Sequence, residues 1–397
     1  MANKSQKLQG GNMKVGDPIS TVALAQVDEC TFAGPAATAA APNPKKTISA
    51  STFTTHPALV SSMLVEYTAL VAAIVRTCAA GTVVSVKSTA ATGRLAEGVL
   101  EYLDSSALGL TVDPEFGDLK DFVSTAYTGI LGAALSYLRM LRDGYSWKAH
   151  YEEIASPTGS ATAEPEPDFV FAKLGDLAVV ESKGTGADLP KALAAAKNGY
   201  LKQIVSVAAR PLNGSIFPSR GYAFGTALNA ASSGAAHVQM ACVFGEFLPG
   251  AGAASGVAGP PVAPGAQRSL GGLQLVRKAN YAELYRQLGL NANNVGTVLS
   301  SAPSDITLHQ SPNRIPLVVD GEPWTATIAL PVGIIRSIER GYYPEALPDA
   351  AQNRGPTVVP GTKERNLIFV NFPDHSRVLL RKETPRASYV VRSVELE

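Results

Sequence analysis

The stretch from Asp168 to Lys183 constrains this chain more than any other. Asp168-Phe-Val-Phe-Ala and Leu177-Ala-Val-Val-Glu181 are two short runs of strand-forming residues, separated by Lys173-Leu-Gly-Asp176. Such a pattern predicts an antiparallel hairpin. If the turn centres on Leu174-Gly175, Asp168 faces Glu181; if it centres on Gly175-Asp176, Asp168 faces Lys183. Opposed residues share a face, and so do residues two apart on one strand. Either register therefore sends Asp168, Glu181 and Lys183 to one side, and only a bulge or a one-residue slip would scatter them.

Two carboxylates at the end of an apolar hairpin are costly unless positive charge lies between them. A divalent cation meets that need. Oxygen donors from Asp168 and Glu181, supplemented by the Ser182 backbone carbonyl and water, suit Mg²⁺ or Mn²⁺ rather than zinc, because no His or Cys is near in sequence. Such an ion acidifies a bound water and stabilises charge on phosphoryl oxygens, and a neighbouring lysine orients or helps deprotonate the attacking water. The chemistry this set predicts is phosphodiester hydrolysis.

An acid at a strand start, a spacer, and then acid-any-Lys in the next strand resembles the motif of the PD-(D/E)XK nuclease superfamily. Asp168 matches the first acid, Glu181 the second and Lys183 the lysine. The resemblance covers about a third of the chain, Ser156 to Leu288. It implies an α/β (α+β) fold with a restriction-endonuclease-like core, a mixed central sheet flanked by helices. It also implies a Mg²⁺-dependent endonuclease, most directly a deoxyribonuclease. Many members add an acid from a helix before the hairpin; here the candidates are Glu97, favoured, with Glu101, Glu152 and Glu153. Some place a polar residue on the helix after the lysine strand, and Gln203 matches, in the role of positioning substrate or water. Members with appended regions often act in prokaryotic defence against foreign DNA. A catalytically silent nuclease-fold subunit that binds nucleic acid or scaffolds a complex, and an RNA-cleaving enzyme, are the alternative readings.

The rest of the chain sets the surroundings. At 397 residues it is long enough for two or three cores. Residues 1–50 read as an irregular arm, with Gly-Gly, Pro-Asn-Pro and an Ala-rich run. Residues 51–155 read as a helical region able to contribute a helix to the nuclease core. Leu59, Met63, Tyr67 and Leu70 form one stripe there, Leu95, Val99, Tyr102 and Leu103 another, and a long helix is expected from Val123 to Leu141. Three prolines and a glycine in Ser156–Pro167 then stop the helical period. Residues 156–290 are expected to hold the nuclease core: the hairpin, a helix over Leu189–Val207, strands over Gly221–Ala227 and His237–Phe244, and an amphipathic helix over Lys278–Leu288 ended by Gly289. A flexible Gly/Ala/Pro-rich insertion at 249–267 interrupts it. Residues 291–397 read as β-rich, with an Asp320-Gly321 turn and a strand at Leu367–Val370.

Composition narrows the partners. Lys and Arg number 34 against 33 acids, so no global field advertises nucleic acid. Between Lys173 and Arg220, however, seven Lys or Arg stand against three acids, a local excess that suits phosphate. Nucleic acid, with DNA first, is the expected partner, alongside a protein partner or a second copy of the chain. Cys30, Cys78 and Cys242 are widely separated and match no zinc spacing, which with the lack of a secretory signal points to a cytoplasmic location. The span-like segment Ala58 to Ala79 carries Glu66 and Arg76 and reads as a buried soluble helix, so no membrane partner is expected. The five histidines lack any metalloprotease or Ser-His-Asp context, and Gly184-Thr-Gly-Ala-Asp-Leu-Pro-Lys191 lacks the Gly-Lys-Ser/Thr ending of an NTPase loop.

Overall fold

In the computed structural model the motif hairpin lies inside a mixed sheet, one strand in from its edge. The residues described are 20–32, 51–78, 86–106, 109–155, 166–208, 212–213, 216–228, 236–247, 266–290, 308–312, 314–319, 322–347, 355–360 and 366–383. The chain begins with β1 (Ser20–Phe32), β2 (Ser51–Thr55) and β3 (Ser61–Val65). Helices α1 (Tyr67–Cys78) and α2 (Val86–Glu101) lead to β4 (Leu103–Ser106) and β5 (Gly109–Val112). The long α3 (Asp121–Arg142), β6 (Trp147–His150) and the short α4 (Tyr151–Ala155) follow. The hairpin is β7 (Phe169–Lys173) and β8 (Asp176–Thr185). From it run α5 (Leu189–Gly199), a π-helical turn (Tyr200–Ile204) and α6 (Val205–Ala208). Strands β9 (Arg220–Ala227), β10 (Ala236–His237) and β11 (Gln239–Glu246) precede α7 (Ala266–Gln287). The C-terminal part holds β12 (Leu308–Gln310), β13 (Ile315–Val319), β14 (Glu322–Pro331), α8 (Val332–Glu339), β15 (Thr357–Pro360), β16 (Leu367–Asn371) and β17 (Arg377–Lys382).

Among the described residues the main sheet has eight strands, in the order β2-β1-β11-β9-β8-β7-β6 with β3 also on β1. It is mixed: β8 runs parallel to β9 and β1 to β11, while the other neighbours are antiparallel. The parallel pair β8–β9 needs a crossover, which α5, the π turn and α6 supply. A second, six-stranded antiparallel sheet holds β12 to β17, and β4, β5 and β10 form a small third one. The chain is thus α/β with a mixed sheet flanked by helices and a β-rich C-terminal part.

The expected hairpin register is the first of the two: Phe169 pairs with Val180 and Lys173 with Asp176. Gly175 makes this turn with φ 83°, a conformation that costs other residues more.

Several organisational expectations are corrected. The arm at 1–50 contains β1, whose outward simplicity in sequence hides an inner strand of the sheet. Burial alternates at Val22 and Leu24, but after a register shift between Leu24 and Gln26 it falls on Val27, Asp28 and Cys30, which erases the simple alternation. The stripe from Leu59 to Leu70 is not one helix. Met63 and Val65 are buried with period two in β3, and the helix starts at Tyr67. The boundary at 156 also cuts through the sheet, because β6 pairs with β7 and β1 with β11, both strands of the expected core. Helix α3 spans the expected Val123–Leu141, and α7 ends at Gln287 before Gly289 with φ 70°. The flexible insertion, apart from its last two residues at the start of α7, lies outside the described residues. The Asp320-Gly321 turn does as well, although Val319 pairs with Glu322 across it.

Helix α1 is buried through almost its whole length, which explains its apolar composition. No helix among the described residues is long and apolar enough to cross a membrane. Its one cation, Arg76, is fully buried and bonds Asp374 at 3.0 Å and Gln287 at 3.2 Å. Asn280 and Glu283 on the same stripe of α7 join this interior network, Glu283 pairing with the buried Lys148 of β6 at 3.3 Å. Polar side chains thereby tie α1, α7, β6 and the β16–β17 connection together.

Candidate metal and phosphodiester site

Alternation along β8 decides which helix each site residue meets. Glu181 and Lys183 face α5, where a Cβ on Gly199 would lie 3.1 Å from Glu181 Cγ and 3.4 Å from Lys183 Cε. Gly184 faces the other way, onto α3, and a Cβ there would lie 1.9 Å from the Thr128 carbonyl oxygen. Glycine is required at 184 for α3 to rest directly on the strand.

Asp168 sits in a bend just ahead of β7, so the ladder ends one residue before it. It is held nonetheless. Its backbone N–H donates to Glu181 Oε2 at 3.2 Å, and its carbonyl accepts the Tyr151 N–H at 3.2 Å. Its Oδ2 accepts both the N–H and the hydroxyl of Ser182, each at 2.8 Å. Ser182 was expected to offer its carbonyl to a metal; the structure adds a hydroxyl role that the sequence signals only as a small polar residue between the acid and the lysine.

Glu181 is 0% exposed and forms an ion pair with the Lys183 ammonium through Oε1. That oxygen otherwise receives no hydrogen bond. Burial first, and the charge of Asp168 second, push the Glu181 carboxyl up to about 7, with Lys183 pulling the other way. The structure thus brings Asp168, Glu181 and Lys183 together, with Lys183 as the cation paired to Glu181.

The remaining candidates are placed differently. Gln203 lies in the π-helical turn, a distortion often found at functional sites, but its Nε2 donates to the Glu166 carbonyl at 2.7 Å. It braces the segment leading into Asp168. Glu97 lies on α2, and among the described residues no group of three or more His, Cys, Asp or Glu that could hold a metal ion is found. Its helix α2 packs chiefly on β13, α1 and α3. On the face of the motif strand opposite α5 lies α3, which carries Thr128 and Gly132 at the contact rather than an acid. Glu153 pairs with Arg286 at 2.7 Å, and Glu101 and Glu152 are exposed.

Of the local cations, Lys197 is spent on the buried Asp28 at 2.7 Å, with Gln26 and Thr55 as further donors. Burial raises the Asp28 pKa, yet these partners outweigh it and hold the carboxyl below its usual value. Lys191 and Lys202 remain exposed along α5 and the π turn. Compared with known proteins, the chain matches no family model, no curated protein and no solved structure.

Proposed function

We propose that this chain is a metal-dependent nuclease that hydrolyses phosphodiester bonds, with DNA as the first substrate to test. The observation that supports the reading is the proximity of the three motif residues: a fully buried Glu181 accepts the Asp168 N–H and pairs with the Lys183 ammonium.

The residues fit a hard divalent cation. Glu181 Oε1 is buried with the Lys183 ammonium as its counter-charge, and the donors that Asp168 and Glu181 offer are carboxylate oxygens. Asp168 and Glu181 would hold Mg²⁺ or Mn²⁺, which supplies Lewis acidity and a water of lowered pKa. Glu181 Oε2 fixes the backbone of Asp168, so the two carboxylates keep their spacing. Lys183, with its side chain partly exposed, can hold a phosphoryl oxygen or the attacking water at Nζ. Lys191 and Lys202 are exposed on the helix and π turn that follow β8 and suit a phosphate backbone. Water adds to phosphorus, the bridging P–O bond breaks, and the leaving oxygen takes a proton.

The test is incubation of the purified chain with plasmid and linear DNA in Mg²⁺ or Mn²⁺, beside Lys183→Ala. Loss of cutting by about 100-fold or more in the variant is expected; equal cutting by both sinks the assignment. RNA in a parallel digestion separates the two sugars.

A second reading is a catalytically silent nuclease-fold subunit that binds nucleic acid or scaffolds a complex. It is favoured by the Gln203 amide nitrogen being engaged by Glu166 and by the missing third carboxylate among the described residues. Nucleic-acid binding without metal affinity at Asp168 and Glu181 would support it.

A further inference from the structure

Asp168 is restrained at every group except one oxygen. Its N–H is given to Glu181, its carbonyl to Tyr151, and its Oδ2 to two donors from Ser182. Oδ1 receives no hydrogen bond among the described residues. A carboxylate pinned by one oxygen in this way has a fixed rotamer and presents the other oxygen alone.

We infer that Ser182 is a positioning residue that presents Asp168 to the divalent cation through the single oxygen Oδ1. This rests on the metal site proposed above. Two features of the geometry carry it. The backbone and the side chain of Ser182 converge on the same oxygen at equal distances, a chelating arrangement rather than a chance contact. Ser182 also sits between Glu181 and Lys183, so the strand that places the buried acid and the lysine also sets the orientation of the first acid. Without the hydroxyl, Oδ2 keeps only the backbone donor, and the carboxylate gains rotational freedom that metal binding must then remove.

The consequence is specific to the hydroxyl. Ser182→Ala deletes the hydroxyl donor and leaves the backbone donor, whereas Ser182→Thr restores a hydroxyl at the same atom. Titration calorimetry of the full chain with Mn²⁺, without nucleic acid, reads the effect directly. Ser182→Ala is expected to weaken Mn²⁺ binding by about tenfold or more, and Ser182→Thr to stay within about threefold of the wild type. Thermal melting without metal is run on all three proteins to register any loss of folding.

Unchanged Mn²⁺ affinity in Ser182→Ala overturns the inference. Equal weakening in the Ala and Thr variants also overturns it, because the loss would then follow packing rather than the hydroxyl. If the wild type binds no Mn²⁺, the metal site and this role for Ser182 fail together. If Mn²⁺ binds with the expected order of affinities but neither DNA nor RNA is cut, the nuclease reading fails alone and the role of Ser182 stands.

Discussion

Glu181 Oε2 accepts the backbone N–H of Asp168 at 3.2 Å, so the buried acid of the motif also holds the chain that carries its partner. Charge and scaffolding are therefore separable at this residue. Glu181→Gln keeps an acceptor and removes a costly buried charge, while Glu181→Ala removes both. In EDTA at pH 8, Glu181→Gln is expected to melt at or above the wild-type temperature. Glu181→Ala is expected to lose about 1–3 kcal/mol by leaving the amide unpaired. Both should lose cleavage. Because the Glu181 pKa is raised to about 7, its penalty is present above that pH and absent below the unfolded value near 4.5. The advantage of Gln over Glu should accordingly shrink as pH falls from 8 to 5. Chemical denaturation at the two pH values checks this, and a constant difference would contradict it.

His150 titrates with the opposite consequence. Burial first, and the Lys148 charge second, lower its pKa to about 4, and its Nε2 is buried without a hydrogen bond. A depressed folded pKa means that stability is fully present above the unfolded value near 6.5 and is lost as pH falls towards 4. The wild type should thus lose about 3 kcal/mol relative to His150→Phe between pH 7 and pH 4. Denaturant midpoints across that range test it; parallel curves for the two proteins would refute it.

Two glycines of the site region should respond in opposite directions to alanine. At Gly184 the new Cβ meets the Thr128 carbonyl carbon at 2.2 Å, so α3 must move off the strand next to Lys183. A loss of about 1–3 kcal/mol or more is expected. At Gly129, also on α3, nothing lies within 4 Å, and alanine should stabilise the helix by about 0.5–1 kcal/mol. Urea unfolding of both variants provides the comparison.

The interior network should punish single changes more than paired ones. Arg76→Met leaves Asp374 buried without its cation and is expected to cost about 3–5 kcal/mol. Adding Asp374→Asn removes the stranded charge, and the double variant should recover part of that loss. A double-mutant cycle measures the coupling; additive losses would show that the pair is not coupled.

The hairpin that carries Glu181 and Lys183, with Asp168 just ahead of it, was legible in the amino-acid sequence because strand alternation and a glycine turn are local, and their periods survive in the one-dimensional pattern. The long helix α3 and the C-terminal strands were legible for the same reason. The N-terminal strand was not, since the shift at Leu24–Gln26 breaks its period and its pairing with β11 joins residues far apart in sequence. Only the folded chain decided that α3, rather than the helix bearing Glu97, lies on the motif strand, because that choice depends on a close approach permitted at Gly184. Only the folded chain decided that Lys197 is bound by Asp28, and that Ser182 turns its hydroxyl to Asp168. The motif was thus determined locally by the sequence, whereas its helpers were decided by contacts among segments that have no shared period.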